Sequence, residues 1–300
     1  ILIGLVGSEM CIRDRYIYIL FICVYLYRFS FKFVKRRPYR FGNIVATMIA
    51  ITLTISGFHS HYNKKEVIYH VTVPKTSSVS QLKICLVSDL HLSSGTYMRQ
   101  VRKLVKTVNN KHYDLVCFAG DVFDENTPDA LMNRSLQKFK NMKSTYGTYW
   151  ISGNHEYYGK HTDFTVFEKY NIHFLKNTYE TVDNTFNIVG FTDKTSRDHY
   201  DINQVIKGMN TSLPTITLDH NPERFDQHTY FTDLQLSGHT HNGQIFPGNI
   251  ILHYYYQNSY GLSHYKNHYL LVSGGYGSWG FPFRLGTQCE YDTIYLTMRK

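Results

Sequence analysis

The sequence predicts an α/β protein with two facing mixed β-sheets flanked by helices, preceded by an N-terminal hydrophobic membrane anchor. Three observations lead there. Between residues 82 and 152, apolar strand-like runs alternate with helix-period segments in the order βαβαβ. From residue 185 onward, five more strand-like runs follow with fewer helices between them, which is the material for a second sheet facing the first. Ahead of residue 62, two uncharged apolar runs flank a basic segment.

The first fifteen residues are set aside. EMCIRDR, residues 9–15, can be encoded by the transposon end used to build sequencing libraries, so residues 1–15 read as assembly read-through rather than protein. Residues 16–62 read as the anchor: the apolar run YIYILFICVYLY (16–27), a basic loop (28–42) and a second hydrophobic segment (43–60). The uncharged core of that segment, residues 44–58, spans about 22 Å as a helix against roughly 30 Å of hydrocarbon, with Asn43 and His59–Tyr62 to extend it at the interfaces. A buried helix of a soluble protein is the competing reading. Two uncharged runs around one basic loop favour the membrane. The positive-inside rule then places residues 28–40 in the cytoplasm and residues 63–300 on the far side.

Charge supports that division. The net charge is +9, but Arg28, Lys32, Lys35, Arg36, Arg37 and Arg40 supply +6 of it within thirteen residues, and residues 1–15 sum to zero. The remaining +3 is spread over the rest of the chain, so no nucleic-acid partner is expected. Membrane lipid is the partner expected of the anchor. The five cysteines (Cys11, Cys23, Cys85, Cys117, Cys289) show no CxxC and read as buried and reduced.

Residues 63–300 read as the catalytic domain. After a polar stretch around Val71–Gln81, LKICLV (82–87) is a buried-strand run, 96–110 has helical spacing, and YDLVCFAG (113–120) is a second strand. Residues 128–143 form a helix with Pro128 near its first turn, and GTYWIS (147–152) is a third strand. The later strands are 185–191, 214–222, 234–241, 269–275 and 291–298, all assigned to the second sheet.

Polar clusters mark the strand ends: SDLHL, GDVFD, GNHEYY, LDHNP and GHTHNGQ. Asp89 to Asp121 is 32 residues and Asp121 to Asn154 is 33, each about one ~30-residue strand–helix unit. Ligands of open α/β sheets bind at the carboxyl ends of the strands. His239 and His241 stand two apart, so in an extended segment they would face one site together. Each cluster alone is a weak signal, but five in this order are a strong one.

These motifs resemble those of the calcineurin-like metallophosphoesterase superfamily: DxH, GDxxD, GNH[DE], a lone His and GHxH, over roughly residues 75–300. The likeness is greatest to its membrane-anchored bacterial branch, with GHTHNGQ (238–244) and WGFPFR (279–284); Asn242 stands where many relatives carry Gly. The resemblance implies an αββα sandwich and two divalent ions. Asp89, His91 and His241 would bind the first ion, Asn154, His220 and His239 the second, and Asp121 would bridge. His155 would stabilise or protonate the leaving oxygen, and Asp124 would orient His155. As a bare residue type, Asp124 also reads as a loop or helix-capping carboxylate. Glu156 fits the motif without assigned chemistry, and Arg284 reads either as a substrate-phosphate contact or as a surface arginine. The other histidines, among them His173, His253 and His268, match no motif position.

The expected activity is a binuclear metal-dependent phosphohydrolase. Two divalent ions with two carboxylates and a hydroxide leave about one net positive charge to attract phosphate, and ion binding lowers the pKa of water toward ~7. Hydroxide then attacks phosphorus in line. The mixed donor set suits Mn²⁺, Fe²⁺ or Zn²⁺. The substrate is expected to be a phosphodiester or pyrophosphate, of an envelope or lipid-linked molecule, acted on at the outer face of a bacterial cell membrane. A phosphomonoesterase is the alternative; a Ser/Thr protein phosphatase is disfavoured because Glu125 and Asn126, not Arg, follow Asp124. A non-catalytic metal-binding envelope scaffold is the reading of another class, against which stands the full set of motif residues.

Overall fold

The computed structural model describes residues 40–93, 97–159 and 164–299. The expectations for residues 1–15, for the run 16–27 and for residues 28–39 lie outside these. The chain divides into two compact units between His59 and Ser60.

Helix α1 (Arg40–Tyr62) is longer than the 44–58 core alone. Its 23 residues extend about 34 Å. Its Ile44–Tyr62 stretch is long and apolar enough to cross a membrane. Ile44, Met48, Ile49 and Ile55 are exposed. The hydroxyls of Thr52 and Thr54 donate to the carbonyls of Met48 and Ala50 at 2.9 and 2.8 Å. The helix thus satisfies these two hydroxyls internally.

The second unit begins with β1 (Lys65–Thr76) and β2 (Gln81–Val87), then α2 (Met98–Lys111), β3 (Leu115–Ala119), α3 (Asp129–Phe139), β4 (Thr148–Ile151), the short α4 (Asn154–Tyr158) and β5 (His173–Phe174). It continues with β6 (Thr178–Val182), β7 (Phe186–Gly190), α5 (Ile202–Val205), β8 (Thr215–Leu218), α6 (Phe225–His228) and β9 (Leu234–Ser237). The last elements are α7 (Gly248–Tyr255), β10 (Gly261–Tyr265), β11 (His268–Val272) and β12 (Glu290–Arg299). They form two six-stranded mixed sheets, ordered β1-β12-β2-β3-β4-β5 and β10-β11-β9-β8-β7-β6.

Alternation along the strands builds the layers. Leu82, Ile84 and Leu86 of β2 and Leu115, Cys117 and Ala119 of β3 face the second sheet, meeting Ile188, Ile216, Leu218, Leu234, Leu236 and Leu271. The intervening Cys85, Val87, Val116 and Phe118 turn outward onto α2 (Val101, Leu104, Val108) and α3 (Leu131, Leu136, Phe139). Each of these fully buried aliphatic side chains contributes about 1.5–3 kcal/mol by leaving water. Cys85, Cys117 and Cys289 are free and buried, in line with the reduced reading.

Two expectations are corrected. The 291–298 run does not join the second sheet: β12 lies in the first, parallel to β1 (Val67 opposite Asp292) and antiparallel to β2 (Cys85 opposite Thr293). Most of the stretch read as polar lead-in is β1, an edge strand in which only Val71 and Val73 are buried, so its apolar signal is thin.

Candidate metal centre

β2, β3 and β4 are parallel, as are β7, β8, β9 and β11, so their carboxyl ends share one edge of each sheet. Each expected ligand, with Asp124 and His155, sits just past such an end. Asp89 and His91 follow β2, Asp121 and Asp124 follow β3, Asn154 and His155 open α4 after β4, His220 follows β8, and His239 and His241 follow β9. The motif glycines allow close approach. A Cβ on Gly153 would run into the Asp121 carboxylate, and one on Gly238 into the Asp89 carboxylate and Ser88.

Two donor groups result. Asp89, His91 and His241 bring ligand atoms within 4.8 Å of one another, and so do Asp121, His220 and His239. Asn154 belongs with the second group, its Oδ1 2.9 Å from His239 Nδ1. The groups adjoin: Asp121 Oδ2 is 3.1 Å from His220 Nε2 and 3.9 Å from His91 Nε2. His239 and His241 turn to different donor groups, but not by the alternation of an extended segment. Both have left-handed backbone (φ 73° and 52°), so the two-residue alternation of a strand does not hold. His241 Nε2 turns to His91 Nε2 at 3.0 Å, while His239 turns to Asn154 in the other group.

The donor chemistry fits cations. His220 Nδ1 lies 2.7 Å from the Ala119 carbonyl, to which it donates. That leaves Nε2 facing the Asp121 carboxylate without hydrogen-bond geometry, in a side chain with no exposure. Burial opposes charge on His220, yet Asp121 outweighs it and holds the imidazole well above its usual pKa. His91 behaves alike: burial lowers it, but Asp124, then Asp121 and Asp89, push it up to about 9. On Asp121, burial works against ionisation, but His220 and His91 hold the carboxyl well below the usual range. This pocket draws positive charge, which a metal ion supplies in place of protons.

Asp124, Glu125 and Glu156 take roles that the resemblance does not assign to them. Asp124 Oδ1 accepts from His91 Nδ1 at 2.5 Å and is 3.5 Å from His155 Nδ1. Glu125 is the nearer partner of His155, its Oε2 2.9 Å from Nδ1. Asp124 therefore fixes His91, and the orienting carboxylate expected for His155 comes mainly from Glu125. Glu156 is buried and accepts from the backbone N–H groups of Gly153, Asp121, Val122 and Phe123 at 2.7–3.0 Å. It ties the GDVFD loop to the GNHE turn. Burial, then the charge of Asp121, pushes its carboxyl up to about 7. Its spacing from Gly153 is that of a capping box, the one signal that could have found this role.

Arg284 is neither a surface arginine nor open to a substrate: it is fully buried. It donates to the carbonyls of His241 and Gly277 at 2.8 and 2.6 Å, and Nη2 lies 3.1 Å from His241 Nδ1. Burial, then the charges of His91 and Arg284, lowers the His241 pKa well below its usual value and keeps the ring neutral, as a metal ligand must be. No sequence signal joins positions 43 residues apart.

The calcineurin-like phosphoesterase family model matches residues 82–243, which contain both donor groups together with Asp124, Glu125, His155 and Glu156. An uncharacterized metallophosphoesterase of Helicobacter pylori is 35% identical over 224 residues, 72% of this chain and 60% of that protein. Another, from Campylobacter jejuni, is 30% identical over 90% of this chain and 73% of its own length. A transmembrane protein with metallophosphoesterase domain from Bos taurus is 27% identical over 87% of this chain and 64% of its own. The chain spans about 60% of the Helicobacter protein. With the domain match over more than half its length, the chain belongs to the calcineurin-like metallophosphoesterases.

Proposed function

We propose that this chain is a membrane-anchored phosphohydrolase with two metal sites sharing Asp121. Asp89, His91 and His241 would hold one ion, and Asn154, His220 and His239 the other. The observation that carries this reading is the contact of His220 Nε2 with Asp121 Oδ2, at 3.1 Å without hydrogen-bond geometry. The other ring nitrogen is engaged by Ala119, so a lone pair and a carboxylate face each other across a gap suited to a cation.

Two divalent ions bound there would supply Lewis acidity and lower the pKa of water. The chain's own residues do the rest. His91 is held in one tautomer by Asp124, and such outer partners fix a ligand's orientation and basicity. His155 donates its backbone N–H to Asp121 Oδ1 at 2.8 Å, which sets the imidazole beside the centre. Its Nδ1–H is engaged by Glu125, so in the imidazolium form it is the Nε2 proton that would pass to the leaving oxygen, the ring returning to neutral imidazole. The substrate is a phosphodiester or pyrophosphate. The apolar α1 and the transmembrane relative from Bos taurus support attachment to a membrane. The six positive charges of 28–40 favour the far side of a bacterial cell membrane for the catalytic unit.

The test is hydrolysis of bis-p-nitrophenyl phosphate by the full chain in detergent, with and without Mn²⁺. Metal-dependent turnover that disappears in Asp121→Asn supports the reading. A folded, metal-loaded protein inert toward both this diester and p-nitrophenyl phosphate points to the scaffold instead.

A further inference from the structure

Beside the metal centre stands an apolar surface that phosphoester hydrolysis does not call for. Helix α7, GNIILHYY, has no buried residue. Ile250 and Ile251 are about half exposed, and Tyr254 and Tyr255 are 84% and 81% exposed. Phe246 and Trp279 are exposed as well. This surface is joined to the centre. Gln244 and Trp279 exchange hydrogen bonds of 3.0 and 2.9 Å, and the Trp279 ring lies 6.2 Å from that of His155.

Three observations identify what covers it. Tryptophan and tyrosine mixed with isoleucine and phenylalanine is the composition of side chains at a membrane–water interface. No Asp or Glu occurs between Asp233 and Glu290, the whole segment that carries the patch, so nothing in that segment repels anionic headgroups. A bilayer is also within reach by chain length: α1 ends at Tyr62 and β1 begins at Lys65.

We propose that Phe246, Ile250, Ile251, Tyr254, Tyr255 and Trp279 enter the headgroup boundary of the bilayer that holds α1. The centre then acts on an amphipathic phosphoester or pyrophosphate presented at that surface. This rests on the phosphohydrolase reading and adds the substrate's class.

The chain has two tryptophans, and Trp150 is fully buried, so quenching by lipid reports Trp279. The full chain is reconstituted into phosphatidylethanolamine–phosphatidylglycerol vesicles carrying shallowly brominated lipid. Trp279 emission falls by about half, as insertion to the acyl boundary requires, and Trp279→Phe removes the effect. The double variant Ile250→Glu, Ile251→Glu relieves quenching. It also slows hydrolysis of vesicle-borne phosphatidyl-p-nitrophenol at least ~10-fold relative to soluble bis-p-nitrophenyl phosphate, which it cleaves like wild type. Absent quenching, equal effects on both substrates, or cross-linking of the patch to a second copy overturns the proposal. Wild-type failure on the vesicle-borne substrate, on bis-p-nitrophenyl phosphate and on p-nitrophenyl phosphate, with quenching intact, refutes the hydrolase reading while the membrane surface stands.

Discussion

The Arg284 guanidinium lies behind His241, donating to its carbonyl at 2.8 Å with a second nitrogen 3.1 Å from Nδ1 of the same ring. A permanent charge with no exposure is held by the carbonyls it satisfies, and those carbonyls are left unpaired without it. Arg284→Met is therefore expected to destabilise the fold by about 3 kcal/mol, from buried acceptors losing a charged donor. It should weaken metal binding about 10–100-fold by freeing the His241 loop. Thermal melting and chelator-competition titration measure the two. A raised KM with unchanged stability and metal affinity would return Arg284 to the role of a substrate contact.

Asp124 and Glu125 hold different imidazoles, where the resemblance gave Asp124 only His155. Asp124 sits 2.5 Å from His91 Nδ1, and Glu125 2.9 Å from His155 Nδ1. Asp124→Asn should lower metal affinity about 10–100-fold, because the amide no longer fixes the His91 tautomer. Glu125→Gln should leave affinity unchanged and lower kcat by about 10-fold, through a less well oriented proton donor. The effect is modest because the Glu125 side chain is 39% exposed. Metal titration beside kcat and KM for both variants tests the division; interchanged effects would refute it.

How much of this was legible depends on where the partners lie in sequence. The βαβαβ core was readable because β2, β3 and β4 are apolar runs that each end on a polar cluster. β1 was not, since an edge strand with two buried valines looks polar. The place of β12 was not either: its pairing with β2 joins residues about 200 positions apart, and no local pattern encodes sheet order. The motif residues were legible because short spacings at strand ends carry them. What spacing does not reveal is the left-handed backbone of His239 and His241, φ 73° and 52°, which replaces the extended geometry expected there. Glu156 and Arg284 were legible as residues, yet their partners come from other loops.

Asp292 offers a pH dependence away from the metal centre. It is fully buried in β12, and neither carboxyl oxygen reaches good hydrogen-bond geometry with any described residue, the Ser273 hydroxyl included. Burial, then the neighbouring charge of Glu290, pushes its carboxyl well above the usual range, and burial raises Glu290 too. Both folded-state values exceed the unfolded ones. The native state thus holds more protons than the unfolded chain, and stability is lost as pH rises above about 4, by up to ~1.4 kcal/mol per unit per group. Asp292→Asn should flatten this slope and raise stability at pH 8 by about 1–2 kcal/mol. Melting of wild type and variant at pH 5, 6.5 and 8 decides; a wild-type stability that climbs from pH 5 to 8 would sink the argument.

Metal removal should destabilise the loops more than a simple loss of ligand suggests. Asp89, His91, Asp121, His239 and His241 all have left-handed backbone, with φ between 50° and 73°. Each such non-glycine residue costs on the order of 1–3 kcal/mol unless its surroundings hold it in place. Ions bound at these five side chains would offset that strain. At about a thousandfold excess over Kd, one bound ion adds roughly 4 kcal/mol to the folded state. For a unit of this size that corresponds to a fall of about 8–16 °C in Tm on chelation. Hydrogen exchange should then quicken first in the loops after β2, β3 and β9, while β2 and β3 themselves, buried on both faces, stay protected. Asp121→Asn, which removes the shared carboxylate, should start from a lower Tm and respond less to chelator. A wild-type chain whose Tm and loop exchange are indifferent to chelator would show that the left-handed turns are held by the protein alone, through bonds such as those from His239 N–H to Asp89 at 3.1 Å.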